Sequence, residues 1–344
     1  MMAGEQLQII SDSICQHNSL KKIKHELTLI LTGDFAQLPP VKGKWAFETD
    51  TWEKHFAPRV ERLDKIWRQT DERFLEGLRL ARQGLGQEAV EALEGSGVEW
   101  ARGLDENFPG ATLFAKNEQA GNYNLLRLGQ LEAKPRGITT RFAGWIRPEI
   151  RKEIPTRLVI KEGARVMLRR NLYGVDTFNF RTKRVERELI YANGDQGEVV
   201  GYGGGDIPTV LVRLLRNGKV VIVRCLTETV LIRGQRAEPV DITLPPYNVT
   251  DGFKPYWDSE SKSWVVGTAT WMPMSLCWGI TVHKSQGMTL DALQIDPANQ
   301  FFGSPAMAYV ALSRVRSPGG LRIVGNKGLL AARVKMSEKI GEWI

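Results

Sequence analysis

Cysteine is scarce: Cys15, Cys225 and Cys277 are the three in 344 residues, and no C-x-x-C spacing occurs. An odd, scattered set of thiols argues against a disulfide framework and a zinc site, and suits a reducing compartment. Long apolar runs are missing as well. None approaches the roughly 18 residues that span a bilayer, and the opening Met1-Met2-Ala3-Gly4-Glu5-Gln6 has no basic stretch leading into an apolar one. No membrane span or export signal is therefore expected. Repeats and low-complexity tracts are absent, and with 42% hydrophobic and 25% charged residues the composition is neither disordered nor collagen-like.

Acidic residues are outnumbered, 39 Asp and Glu against 47 Lys and Arg, for a net charge of +8. A polyanion is the first partner to test. The excess is uneven, since residues 141–200 hold 13 Lys or Arg and 8 Asp or Glu. The length is a soft prior for two or three domains, at about 100–200 residues each.

The pattern along the chain is α/β at both ends and β in between. An amphipathic stretch up to about Ser19 precedes the apolar run Leu27-Thr28-Leu29-Ile30-Leu31, which reads as a buried parallel strand with a functional loop at its carboxyl end. A helix is expected from Asp71 to Gln83, with Phe74, Leu78 and Ala81 on one face and Gly84 as cap. Ala111–Ala115 reads as another strand, followed by Lys116-Asn117 and a helical segment. From about Ala164 the strands become short and antiparallel in character. Two of them flank Asn217-Gly218, a strong signal for a two-residue hairpin, and glycines at 194, 197, 201, 203, 204 and 205 punctuate the rest. The stretch from Glu238 to Ser263 reads as a loop-rich exit, and α/β character returns at Met274–Ile280.

Taken singly, the polar candidates are ordinary. Gly33-Asp34 with Gln37 is a polar loop after a strand, and Arg68 in Trp67-Arg68-Gln69 is an arginine at a helix start. The constellation says more: Gln37 at one strand end, Arg68 at a domain start, Lys284, Gln286 and Gly287 after another strand, and Arg314 on a helix. Those are the parts that grip a nucleotide triphosphate, a Gln sensing the γ-phosphate and arginines stabilising its charge in the transition state.

The motifs resemble those of superfamily 1 DNA helicases of the RecD, Dda and PIF group, in the family's order over nearly the whole chain. Gly33-Asp34-Phe35-Ala36-Gln37-Leu38-Pro39-Pro40-Val41 is similar to motif III and Trp67-Arg68-Gln69-Thr70-Asp71 to motif IV. Leu113–Asn117 resembles the next motif. Gly163–Leu168 with Asn193–Gly197 resembles the entry to an inserted SH3-like domain, Thr281–Gly287 motif V, and Tyr309–Arg314 motif VI.

The resemblance implies an α/β protein of RecA-like P-loop NTPase motor domains, the first one truncated, with an inserted small antiparallel SH3-like β-barrel. The implied boundaries are 1–62 for the first motor domain, 63–163 and 269–344 for the second, and 164–268 for the barrel and its exit loop. Arg68 and Arg314 would be arginine fingers and Gln37 would contact the γ-phosphate and the attacking water. Gly33, Asp34, Gln286 and Gly287 would line the nucleotide with Gln37 and Arg314, while Asn117, Thr281, His283 and Lys284 would meet single-stranded DNA. Trp45 and Phe47 are read first as core aromatics and second as faces for base stacking.

The departure is at the front. No G-x-x-x-x-G-K-(S/T) occurs, so the phosphate-cradling loop is absent, and neither Asp71-Glu72 nor Asp105-Glu106 follows an apolar strand as an Mg²⁺-binding pair should. Cys277-Trp278-Gly279 stands where relatives usually show Ala-Trp-Ala. The expectation is a helicase sequence that begins just after its Walker B motif, inactive alone, with ATP and Mg²⁺ both requiring the missing region and no metal site of its own. Single-stranded DNA is the implied partner, and a separate chain carrying the P-loop half is a second. The place implied is the cytoplasm of a bacterial or phage-infected cell, or otherwise inside a cell with DNA. Two further readings stay open: an ATP-independent remnant that binds single-stranded nucleic acid, and a protein-interaction module built on the barrel.

Overall fold

The computed structural model describes residues 3–19, 26–40, 43–63, 65–179, 184–204, 208–243, 246–247, 249–298 and 300–343. Val41, the end of the first quoted motif, and Gly205 lie outside them. The chain divides into two compact units, Met1–Gly121 with Gly279–Ile344, and Asn122–Trp278.

The first unit is built on a five-stranded sheet in the order Glu99–Ala101, Leu321–Val324, Leu293–Ile295, Ala111–Phe114, Gly279–Thr281, with every neighbouring pair parallel. Its central strands are buried, Leu113, Leu293, Ile295, Leu321 and Ile323 almost completely. Their apolar residues alternate with Thr112, Gln294 and Arg322, of which Thr112 and Gln294 are themselves fully buried. A helix, Glu72–Arg82, starts where the Asp71 carboxylate accepts the Phe74 N–H at 2.7 Å, and buries Phe74, Leu78 and Ala81. The helix Gly86–Glu94 packs against it through Ala89, Val90 and Leu93.

The run Leu27–Leu31 is not a strand. Leu29 and Leu31 pack on Leu7 and Trp52, whereas Leu27 is 49% and Ile30 80% exposed. A strand needs a neighbour for its backbone N–H and C=O groups, and among the described residues none pairs with this segment. Hydrophobicity alone therefore suggested an element that backbone pairing does not complete.

The second unit is mostly antiparallel. One five-stranded sheet runs Val220–Arg224, Thr209–Leu214, Gln196–Gly203, Arg165–Leu168, Met274–Leu276. Another joins Leu226–Arg233, Ser263–Trp271 and Tyr256–Asp258, with Arg141–Gly144 also paired to Ser263–Trp271. Antiparallel pairing begins at Arg136, on the strand Arg136–Thr139, well before the change of pattern at Ala164. Trp264, Val266 and Trp271 anchor the core of the second sheet together with Ile146, Ile154 and Ile242.

The hairpin at Asn217-Gly218 forms, but its loop is longer than two residues. The Leu214 N–H donates to Lys219 O at 2.8 Å, which leaves residues 215–218 as the loop. Gly218 adopts φ +70°, a conformation that costs little only without a Cβ, and the Asn217 side chain accepts the Lys219 N–H at 3.1 Å. Among the described residues no helix is long and apolar enough to cross a membrane.

Candidate nucleotide and nucleic-acid site

The loop 33–38 is folded by its own aspartate. Asp34 accepts the Ala36 N–H through Oδ1 at 3.0 Å, and its backbone carbonyl accepts the Gln37 N–H at 3.1 Å. Ala36 and Leu38 are thereby buried, and the Phe35 ring packs edge-on against Trp45, Phe47 and Trp52. The Gln37 side chain is turned so that its Oε1 accepts a hydrogen bond from Gln286 Nε2 at 3.1 Å. Two amides 249 positions apart in sequence thus share one place. Trp45 is 6% exposed and stacks on Phe47 at 5.4 Å within a cluster containing Ala36 and Ile340, so it is a core aromatic.

Both arginines close on Ser313. Arg68 donates from Nη1 to the Ser313 carbonyl at 2.8 Å and from Nε to Thr289 Oγ1 at 3.0 Å. Arg314 donates from Nε to Val310 O at 2.8 Å and from Nη2 to Ser313 Oγ at 2.6 Å. The neighbouring Gln69, also buried, donates to the carbonyls of Ser313 and Val315 and so holds the end of the helix Met307–Leu312.

Among the described residues neither Arg68 nor Arg314 forms an ion pair, and Arg68 Nη2 and Arg314 Nη1 make no hydrogen bond. Arg314 is 3% exposed. Burial first, and the nearby Arg68 charge second, pull its guanidinium down to about 10, while Tyr309 and Asp34 act in the opposite sense. Burial also lowers Arg68. Two partly desolvated cations with spare donors and no carboxylate of their own make a site for an anion.

Asp34 is the carboxylate of this neighbourhood. Its Oδ1 meets Arg82 Nη2 at 3.0 Å, and its Oδ2 accepts the Tyr309 hydroxyl at 3.2 Å. With both oxygens engaged, it is poorly placed to ligate a cation. The residues present fit the phosphate groups of a nucleotide and do not fit Mg²⁺. Among the described residues no group of three or more His, Cys, Asp or Glu could hold a metal. Gly33 is open, with nothing within 4 Å of an added Cβ. Gly287, after Gln286, takes φ +82°, so a side chain there would be strained.

The DNA-facing candidates emerge from two adjacent strand ends. Thr281 lies opposite Phe114 in the parallel pair, so Asn117, which opens the helix Asn117–Gly129, and His283 follow neighbouring carboxyl ends. Asn117, His283 and Lys284 are exposed. Thr281 is not: it is 4% exposed, and its hydroxyl caps the short helix Val282–Ser285 by accepting the Lys284 N–H at 3.4 Å. One lone pair of that hydroxyl therefore helps to shape the turn.

Partial desolvation lowers the His283 imidazole from its usual value, so it is neutral at pH 7 and acts as a hydrogen-bonding group. His283→Ala is expected to weaken single-strand binding by roughly three- to tenfold, the worth of one hydrogen bond. Anisotropy titrations at pH 7 and 8 should give the same loss, with the melting temperature unchanged.

Tyr309, Arg82, Gln69 and Thr289 were not singled out in the sequence. Tyr309 and Gln69 lie inside quoted motifs, but only their neighbours in space reveal what they hold.

The fold is that of a mixed α/β protein, in which a parallel sheet accompanies a pair of arginines meeting on Ser313 and a Gln37–Gln286 contact. Relatives similar to the chain over about nine-tenths of its length are named ATP-dependent DNA helicase PIF1 or Pif1. It is 28% identical over 331 residues to the human ATP-dependent DNA helicase PIF1, covering 93% of this chain and 43% of that protein. To the Pif1 helicase of Bdellovibrio bacteriovorus it is 27% identical over 334 residues, 94% of this chain and 64% of that one. The chain thus spans about two-fifths to two-thirds of the curated relatives it matches. No family model matches. Its fold is shared with Bacteroides Pif1 bound to single-stranded DNA, at a TM-score of 0.63 and 22% identity over 98% of this chain and 71% of that one. Pif1 from Candida albicans gives a TM-score of 0.60 at 23% identity, covering 90% and 66%.

Proposed function

We propose that this chain supplies the finger-bearing part of the ATP site, and part of the single-strand track, of a PIF1-type ATP-dependent 5′→3′ DNA helicase. The observation that carries the reading is the meeting of Arg68 and Arg314 on Ser313 without a carboxylate partner among the described residues. In this reading Arg68 and Arg314 bind the terminal phosphate and stabilise its charge as the bond to the leaving group breaks. Gln37, released from Gln286, orients the attacking water. ATP bound here supplies the phosphoryl group. The P-loop Lys and the Mg²⁺ ligands are not among these 344 residues and have to come from elsewhere, from the same polypeptide or a separate chain.

Residues 1–62 then belong to a first RecA-like domain and 63–163 with 269–344 to a second. Within the antiparallel region, whose pairing runs from Arg136 to Leu276, residues 164–268 are an SH3-like insertion. The relatives' helicase names and the DNA in the Bacteroides Pif1 structure support single-stranded DNA as the partner.

The purified 344-residue chain is expected to show no DNA-stimulated ATP hydrolysis at a helicase-like rate, because phosphoryl transfer depends almost wholly on positioning and charge stabilisation. Adding or fusing the P-loop region of a PIF1-type helicase should restore it. A phosphate-release assay on both preparations decides the matter: robust turnover by the chain alone, lost on Arg314→Ala, would refute this assignment.

A further inference from the structure

We propose that Asp34, Tyr309 and Arg82 form a positioning latch that holds the Gln37 loop in register with the arginine pair. None of the three is offered as a ligand of the nucleotide. The inference rests on the proposed function for its catalytic consequence, but its structural part stands without it.

The geometry is specific. Asp34 is the only residue of the loop with an acidic side chain, and its two oxygens reach two different elements. Oδ1 goes to Arg82 in the last turn of Glu72–Arg82, and Oδ2 to the hydroxyl of Tyr309 on Met307–Leu312. The same Oδ1 also takes the Ala36 N–H, and the Asp34 carbonyl takes the Gln37 N–H. One residue therefore sets both the local turn and its anchorage.

Tyr309 connects the loop to the finger. Its own carbonyl accepts the Ser313 N–H at 3.0 Å, one residue before Arg314, and Val310 beside it accepts from Arg314 Nε. A shift of the phenol is thus a shift of the helix that aims Arg314. Burial, with the Asp34 charge second, pushes the Tyr309 phenol up to about 12, so the hydroxyl remains a donor across the physiological range.

The latch also separates two kinds of arginine. Arg82 is held by a carboxylate, whereas Arg68 and Arg314 form no ion pair among the described residues. Asp34 lies close enough to Arg314 to favour its charged form without bonding to it. Neutralising Asp34 would leave Arg82 without its carboxylate partner, and the loop would lose its anchor just where Gln37 must be placed.

Hydrogen exchange on the whole chain and turnover on the chain supplied with a P-loop region test this together. Tyr309→Phe and Asp34→Asn are expected to speed exchange at the Ala36 and Gln37 amides about tenfold, the worth of a hydrogen bond to a charged group. Exchange in the strand Leu293–Ile295 should stay unchanged. Arg82→Lys, which keeps the charge, should change the loop least. In the P-loop-supplied protein Tyr309→Phe should lower kcat about tenfold at constant KM for ATP, and the Asp34→Asn/Tyr309→Phe double variant should be no worse than Asp34→Asn alone.

Unchanged loop exchange in both single variants overturns the latch. So does an equal rise throughout the sheet, which would make the three residues a general stabiliser. An unaltered kcat for Tyr309→Phe in an active protein overturns the catalytic part. If the wild-type preparation has no ATPase even with a P-loop region, the helicase reading fails while the exchange result still judges the latch.

Discussion

Arg314→Ala and Arg68→Ala are each expected to lower ATP turnover by about 10³–10⁵ in a P-loop-supplied form of this protein, the range an arginine finger is worth. The basis is that both guanidiniums keep donors unused among the described residues while lacking a carboxylate partner. They are partly desolvated, which strengthens their attraction for a developing negative charge. Affinity for single-stranded DNA in the absence of nucleotide is expected to change little. Arg314 also bonds to Val310 and Ser313, so the alanine variant loses some stability as well as charge. Arg314→Lys separates the two effects: it retains the cation but not the planar fork, and should remain folded yet slow. Near-normal turnover in folded Arg68→Ala and Arg314→Ala proteins would remove the finger assignment.

Single-strand binding by the chain, as proposed, is expected to fall steeply with salt. Each phosphate contact adds about −0.7 to the log–log slope for a single strand, so four contacts would weaken binding about 50-fold between about 50 and about 200 mM salt. The net charge of +8, the basic stretch 141–200 and the exposed Lys284 at the end of the parallel sheet motivate this expectation. Lys284→Ala should reduce the slope by about one contact's share, whereas His283→Ala, which removes a neutral group, should weaken binding at every salt concentration without changing the slope. Fluorescence anisotropy with a labelled oligonucleotide across a salt series measures both. A flat, weak signal throughout would favour a protein-interaction module instead.

The amino-acid sequence by itself determined the α/β class of the first unit. Its central strands are short segments rich in buried apolar residues, such as Ala111 and Leu113, and Asp71 announces its helix because a carboxylate at that position satisfies an otherwise unpaired N–H. The likeness to helicases was legible for a similar reason: short motifs in fixed order survive where overall identity is low. Tertiary structure alone decided what depends on partners distant in the chain. Leu27–Leu31 has the composition of a strand, yet pairing is a property of two segments, and none joins it among the described residues. Asp34, Arg82 and Tyr309 are separated by up to 275 positions, and no local propensity distinguishes them from solvated side chains. Only folding, by removing water from around the charge of Asp34, obliges it to find Arg82 and Tyr309.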